Sequence, residues 1–270
     1  MSAVAAEAPP RVTEEELAWV DWQLMIPGFG LEKQYKLKGS TALVSRVGGV
    51  GSPAAVSLAM AGIGRLILAH GGHVEPFHMN RWPLASTDQI GRVNPAVSAT
   101  ERIRKLNPHV EVVVVPEFVS PENVQRLVAQ ADIVVDGAPY FEERHLLNRE
   151  CVQQNKPMVE AAATGMEGFV TVVIPGETPC IQCLGFHSKD WSLPFPILGA
   201  VSGTVANLAA LEAIKVLTGY GEPLRGTLLF LDGASSSFRR IKVRRNPACP
   251  VCGDRPSASI GRKEAARKCE

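Results

Sequence analysis

Residues Ser40–His70, STALVSRVGGVGSPAAVSLAMAGIGRLILAH, constrain the fold of this chain more than any other stretch. Thr41–Ser45 is a short apolar run suited to a buried parallel strand. Gly48, Gly49 and Gly51 permit a tight turn, and Ser52-Pro53 predicts a helix start with Ser as N-cap and Pro at the first helical position. Ala54–Ala61 reads as the helix, Gly62 as its stop, and Arg65–Ala69 as the next strand. The result is one βαβ half of a Rossmann-like fold, whose helix N-terminus offers free N–H groups and a favourable dipole to a phosphate.

The turn departs from the dinucleotide pattern of three spaced glycines. The first glycine falls on Arg46, giving Arg46-Val47-Gly48-Gly49-Val50-Gly51. An acid that would bind a ribose hydroxyl is expected at the end of the second strand, about 20 residues on. That strand runs Leu66-Ile67-Leu68-Ala69 into His70. The scaffold is intact while the nucleotide chemistry is not.

The alternation continues. Thr13-Glu14-Glu15-Glu16 predicts a capping box and a short helix through Trp22, and Leu31–Lys38 a second one. Pro95–Leu106 is helical, Val110–Val115 a strand, Asn123–Gln130 helical, Ile133–Asp136 a buried strand ending in a carboxylate, Glu142–Asn155 a helix and Pro157–Glu160 a strand. These predict a doubly wound parallel sheet to about residue 160. Phe169–Ile174 follows as a strand. Gly203–Thr218 is a long apolar helix for the core or a dimer interface. Thr227–Leu231 and Phe238–Val243 form an antiparallel pair. Residues 1–12 and 256–270 read as disordered ends around one domain spanning 13–255.

With 270 residues, 46% of them hydrophobic, the chain can bury one large core. Its formal charge of +1 argues against nucleic acid as a partner. No apolar run reaches the roughly 18–20 residues of a membrane span, and the N-terminus lacks the marks of a signal peptide. A cytoplasmic protein is expected. Four of the six cysteines form Cys180-x-x-Cys183 and Cys249-x-x-Cys252. At that spacing four thiolates suit one structural zinc ion clamping two distant segments, the alternative being two independent redox pairs. Cys151 reads as a buried packing thiol and Cys269 as a free one in the tail.

Taken together, Gln23-Leu24-Met25-Ile26-Pro27-Gly28-Phe29-Gly30, Gly48-Gly49-Val50-Gly51-Ser52-Pro53, Ala61-Gly62-Ile63-Gly64, Asn80-Arg81, Leu106-Asn107-Pro108, Ala131–Asp136, Gly165-Met166-Glu167-Gly168, Leu211–Lys215 and both cysteine pairs carry a resemblance. The chain resembles the E1-like adenylyltransferases, the ThiF, MoeB and HesA proteins and the ubiquitin-activating enzymes, over about residues 14–253. The resemblance implies activation of a carboxylate, often the C-terminal glycine of a ubiquitin-like sulfur carrier, by MgATP. It also implies dimers and a nucleotide site at Arg46, Gly48, Gly49, Gly51, His70, Asn80 and Arg81.

Several of the family's charged groups have no counterpart here. The ribose-binding acid aligns with His70, which cannot accept two hydroxyl protons as a carboxylate does. The arginine that reaches a partner subunit's phosphates is Trp22. The phosphate-binding lysine falls at Asn94 or Pro95, and the metal-binding aspartate is Pro139. The acyl-accepting cysteine of some members is Phe195. Arg81 survives, with Asp136 and Arg144 as supporting remnants of the catalytic set. Each charged contact in such a site supplies ~2–4 kcal/mol of transition-state stabilisation, so their joint loss implies that family-type adenylation is gone.

Two functions are therefore carried forward. The first is a degenerate scaffold or partner subunit, homodimeric or paired with an E1-like paralogue, that binds a carrier protein or peptide. The second is an active adenylyltransferase in which His70, Arg46, Arg81 and Asp136 take over the lost roles. A nicotinamide-binding Rossmann protein is a third, weaker reading. Arg46 is expected either to bind an anion or to plug an unused pocket by pairing with Asp136. His70, His73 and His78 read as polar loop residues rather than a metal site. Trp22, Trp82, Trp191 and Phe195 either line an apolar pocket or fill space left by the nucleotide.

Overall fold

A computed structural model describes residues 12–186 and 194–254. Eight strands form one sheet in the order β3-β2-β1-β4-β5-β6-β7-β8. They are β1 (Thr41–Ser45), β2 (Arg65–Ala69), β3 (Glu111–Val115), β4 (Ile133–Asp136), β5 (Met158–Thr164), β6 (Glu167–Val173), β7 (Thr227–Asp232) and β8 (Ser237–Lys242). The first five run parallel and the last three are antiparallel additions. The order reverses between β1 and β4, and the crevice beyond the carboxyl ends of strands at such a switch point is where open α/β sheets bind ligands.

The helices are α1 (Glu14–Trp19), α2 (Asp21–Leu24), α3 (Gly30–Lys38), α4 (Gly51–Met60), α5 (Pro95–Leu106), α6 (Val124–Ala129), α7 (Phe141–Gln153) and α8 (Gly199–Thr218). They cover both faces of the sheet. One apolar core joins α3, α4, α5 and α8 to it, and a second lies under α6, α7 and the cysteine loops. The central strands are largely apolar because both faces are covered. Each fully buried Leu or Ile, such as Leu43, Ile67 and Ile133, contributes about 1.5–3 kcal/mol.

Several boundaries differ from expectation for local reasons. The capping box at Thr13 and Glu16 forms, but the helix ends at Trp19 and a second starts at Asp21. Ser52 is not the N-cap of α4. The helix starts at Gly51, and the Ser52 hydroxyl donates to the Val47 carbonyl, so it closes the turn instead of capping. β5 runs on to Thr164 because β6 pairs with it along its whole length. α8 begins at Gly199, where a side chain would collide with the Asn80 carbonyl. At 20 residues α8 is apolar and long enough to cross a membrane by length and composition, though the chain's own charges Glu212 and Lys215 lie within it as an ion pair. It lies against α4, β5 and β6.

Cys151 is fully buried, as expected. Trp191, Cys269 and both chain ends fall outside the described residues.

Candidate functional site

The turn after β1 sits at the switch point. Ser45 on β1 and Asp136 on β4 stand in register, and the Ser45 hydroxyl donates to Asp136 Oδ1 at 2.7 Å. Gly51 has no room for a side chain, because a Cβ there would overlap the Arg46 carbonyl oxygen. Arg46 itself has φ +65°, the left-handed region that glycine enters freely and arginine does not. The backbone thus takes a conformation that favours glycine while carrying a large cation.

That cation pairs with Glu143 on α7 and not, as expected, with Asp136. Arg46 Nε donates to Glu143 Oε2 at 2.7 Å and Oε1 at 3.1 Å, and Nη2 lies 2.6 Å from Oε2. The guanidinium also stacks 3.7 Å above the Phe118 ring. Asp136 is committed elsewhere. Its Oδ1 accepts from Ser45 and the Ala138 amide, and Arg144 Nη1 stands 3.7 Å from Oδ2. Arg144 is held mainly by Glu160 at the neighbouring position of β5, which sequence reasoning did not assign to the site. Burial pushes the Glu160 carboxyl well above the usual carboxylate range; Arg144 opposes this and adjacent Asp136 reinforces it. Asp136 and Arg144, expected as remnants of the catalytic set, are both buried beneath the turn.

Above the turn lies the connection from β2 to α5. Trp82 sits against Gly48, where an added Cβ would meet its indole nitrogen at 3.4 Å. Arg81 sits against Gly49 in the same way at 3.0 Å, with the Ser202 hydroxyl beside it. Arg81 Nη1 donates to the Phe77 carbonyl at 2.6 Å and to exposed Asn80 Oδ1 at 2.7 Å. His78 stacks on Trp82 with centroids 3.4 Å apart, and His70 lies 5.0 Å from Trp82 and 5.9 Å from Phe118. Of the three histidines His73 is exposed, His78 half-buried and His70 buried. Burial, with Arg46 and His78 nearby, pushes the His70 imidazole down to about 3. Burial and Arg81 take His78 down to about 4. Both are neutral aromatic fillers at pH 7. Of the four aromatic residues, Trp82 is buried against His70 and His78, whereas Trp22 lies on α2 and is 87% exposed.

Asn94, one of the two positions where the resemblance implies a lysine, is taken up by backbone contacts. Its amide nitrogen donates to the carbonyls of His70, Gly72 and Pro116, and its Oδ1 accepts from the Ala96 amide at 2.8 Å. It ties the ends of β2 and β3 to the start of α5. The Asn-Pro pair before an apolar helix carried that capping signal in the sequence.

The cysteine pairs meet as expected. The Sγ atoms of Cys180, Cys183, Cys249 and Cys252 all lie within 4.8 Å of one another, with Cys180–Cys249 at 3.7 Å and Cys183–Cys252 at 3.4 Å. Zn–S bonds of about 2.3 Å in a tetrahedron require S–S separations near 3.8 Å. The donor set and its dimensions fit that ion. Asn148 on α7 accepts from the Ile181 amide to hold the first loop. Arg245 donates to the Cys252 carbonyl to hold the second. Gly253 is required there, since a side chain would crowd the Cys249 and Pro247 carbonyls.

A mixed sheet in this order, with a glycine turn at its switch point and a four-cysteine cluster packed beside α7, defines a Rossmann-like α/β protein. The ThiF family profile matches residues 20–251, and the chain belongs to that family. It is 46% identical over 245 residues to Protein HesA of Leptolyngbya boryana, covering 90% of this chain and 88% of that protein. It is 37% identical over 258 residues to the sulfur carrier protein adenylyltransferase of Thermus thermophilus, covering 92% and 94%. Among solved structures, E. coli MccB with succinimide superposes with a TM-score of 0.76 at 25% identity, over 83% of this chain and 69% of that one.

Proposed function

We propose that this ThiF-family chain has lost family-type ATP-dependent adenylation and acts as a scaffold or partner subunit for another E1-like protein, a carrier protein or a peptide. One observation carries the reading: the chain's own Trp82 and Arg81 occupy the space over Gly48 and Gly49, where phosphates would approach the backbone. Beside them Arg46 is neutralised by Glu143, and His70, at the position of the ribose acid, is buried against Trp82 and Phe118. Zinc in the Cys180, Cys183, Cys249 and Cys252 site clamps the antiparallel end and takes no part in chemistry, because all four positions are filled by protein.

Partnership is in keeping with the relatives. One of them is described as acting on a sulfur carrier protein, and MccB has been solved with N-formylated MccA. The apolar surface left outside includes Trp22 on α2, Met25 at its C-terminal end, Met60 on α4 and Leu211 on α8. A homodimer or heterodimer in the cytoplasm is the assembly we assign.

A second reading rests on Arg81. Among the described residues it has no carboxylate partner, so a cation remains beside the turn for an active enzyme with rebuilt contacts. Calorimetric titration of the zinc-loaded protein with MgATP separates the two. No heat from a folded protein is expected. Micromolar binding, followed by pyrophosphate exchange once a carrier C-terminus is supplied, would overturn the scaffold reading.

A further inference from the structure

The antiparallel end of the sheet terminates in a strand whose outer edge is open. Among the described residues nothing pairs with β8 on the side away from β7. The Val243 amide donates to the opposite Gly226 carbonyl at 2.9 Å, which fixes the alternation of the ladder. With Thr227 opposite Lys242 and Leu229 opposite Arg240, the N–H and C=O groups of Lys242, Arg240 and Phe238 point outward. These three side chains also share one face, because strand side chains alternate.

The edge is strongly cationic. Ser237–Asn246, SFRRIKVRRN, carries Arg239, Arg240, Lys242, Arg244 and Arg245 and no acid, in a chain whose formal charge is only +1. Arg245 is paired with Asp254, and Arg239 lies over Phe230 at 5.5 Å. Arg240, Lys242 and Arg244 are exposed and have no carboxylate partner among the described residues. Arg240 also lines a cleft of about 480 Å³ together with Lys215, Glu222 and Arg225. Phe238, at 52% exposure, adds an apolar contact at the other end of the same face.

We propose that β8 receives an extended acidic segment of a partner protein, added as a ninth strand, with carboxylates at alternate positions facing Arg240 and Lys242. Backbone pairing supplies affinity in such an addition and side chains at alternate positions supply specificity. The charge pattern selects this occupant over two others. A second copy pairing antiparallel through its own β8 would set arginines against arginines or lysines, and like charges directly opposite are destabilising. The chain's own C-terminal segment, residues 255–270, carries five cations and two acids, so it is repelled as well. A nucleic acid would meet the cations but leave the outward N–H and C=O ladder unpaired. The proposal is independent of whether nucleotide binds at the glycine turn.

The test uses the full chain, without nucleotide, and a fluorescein-labelled peptide of alternating valine and glutamate matched to the six residues of β8. Anisotropy should report saturable binding, weakened about tenfold or more by Arg240→Glu or Lys242→Glu and retained in Arg240→Lys. Circular dichroism establishes that the variants are folded. Amide exchange should slow at Phe238, Arg240 and Lys242 when the peptide is saturating. A peptide N-methylated on the amides that face β8 should not bind. Equal binding of the methylated peptide, displacement by a single-stranded oligonucleotide as readily as by unlabelled peptide, or no change in Arg240→Glu would overturn the proposal.

Discussion

Arg46 and Glu143 lie 97 residues apart in sequence and meet over the glycine turn through three N–O contacts of 2.6–3.1 Å. Both side chains are largely buried, at 12% and 6% exposure. Removing one partner of a buried pair strands the other charge. Glu143→Ala is expected to destabilise the protein by about 3–5 kcal/mol. Arg46→Gly should cost less, because Glu143, already pushed upward mainly by burial, can take a proton, and glycine relieves the left-handed backbone. A urea-denaturation double-mutant cycle should give a coupling above about 1 kcal/mol. Additive effects would mean that the pair does not hold the turn.

Acid should loosen the packing above the turn. His70 has an ordinary value of 6.5 and a folded value of about 3, so below pH 6.5 the unfolded chain binds the proton and the folded one does not. Stability from this residue is fully present above about pH 6.5 and is lost as pH falls toward 3. Between pH 7 and pH 5 the loss amounts to about 2 kcal/mol. Glu160 works in the opposite sense, since its raised folded value favours the folded state at low pH and loses that contribution as pH rises. His70→Phe should therefore flatten or invert the urea midpoint between pH 7 and pH 5. An unchanged slope would remove His70 as the cause.

Two glycines should respond in opposite ways to alanine. Gly51→Ala places a methyl on the Arg46 carbonyl and should cost more than about 3 kcal/mol, because the Cβ position is set by the backbone and the oxygen it meets is itself backbone. Gly203 lies within α8 with open space around it. Gly203→Ala should stabilise by about 0.5–1 kcal/mol through helix propensity. Thermal melts of the two variants check both signs.

The four-cysteine site should hold one zinc per chain, measurable by elemental analysis. Stripping the ion with a strong chelator should lower Tm by about 10 °C or more, since a clamp between segments near Cys180 and Cys249 contributes several kcal/mol in a domain of this size. Cys249→Ser should match the stripped protein and show no further loss on chelation. Full stability without metal would leave two independent thiol pairs.

Much of this protein was determined by its sequence alone. The strand Thr41–Ser45, the glycine turn, the strand Arg65–Ala69, the capping box at Thr13 and the cysteine pairs follow from local preferences. Apolar runs, φ > 0 positions and short-range hydrogen bonds are set by residues close in the chain. The position of His70 was legible for the same reason, because it directly follows the strand Arg65–Ala69. What the tertiary structure decided was who answers whom across the switch point. Arg46 met Glu143 instead of Asp136 because α7 brings Glu143 over the turn, while Ser45 and Arg144 hold Asp136 beneath it. Trp82 and Arg81 filled the space above Gly48 and Gly49 because the β2–α5 connection folds back over them. Such side-chain contacts depend on how separate helices and loops converge on the sheet, and residue spacing along the chain does not encode that convergence.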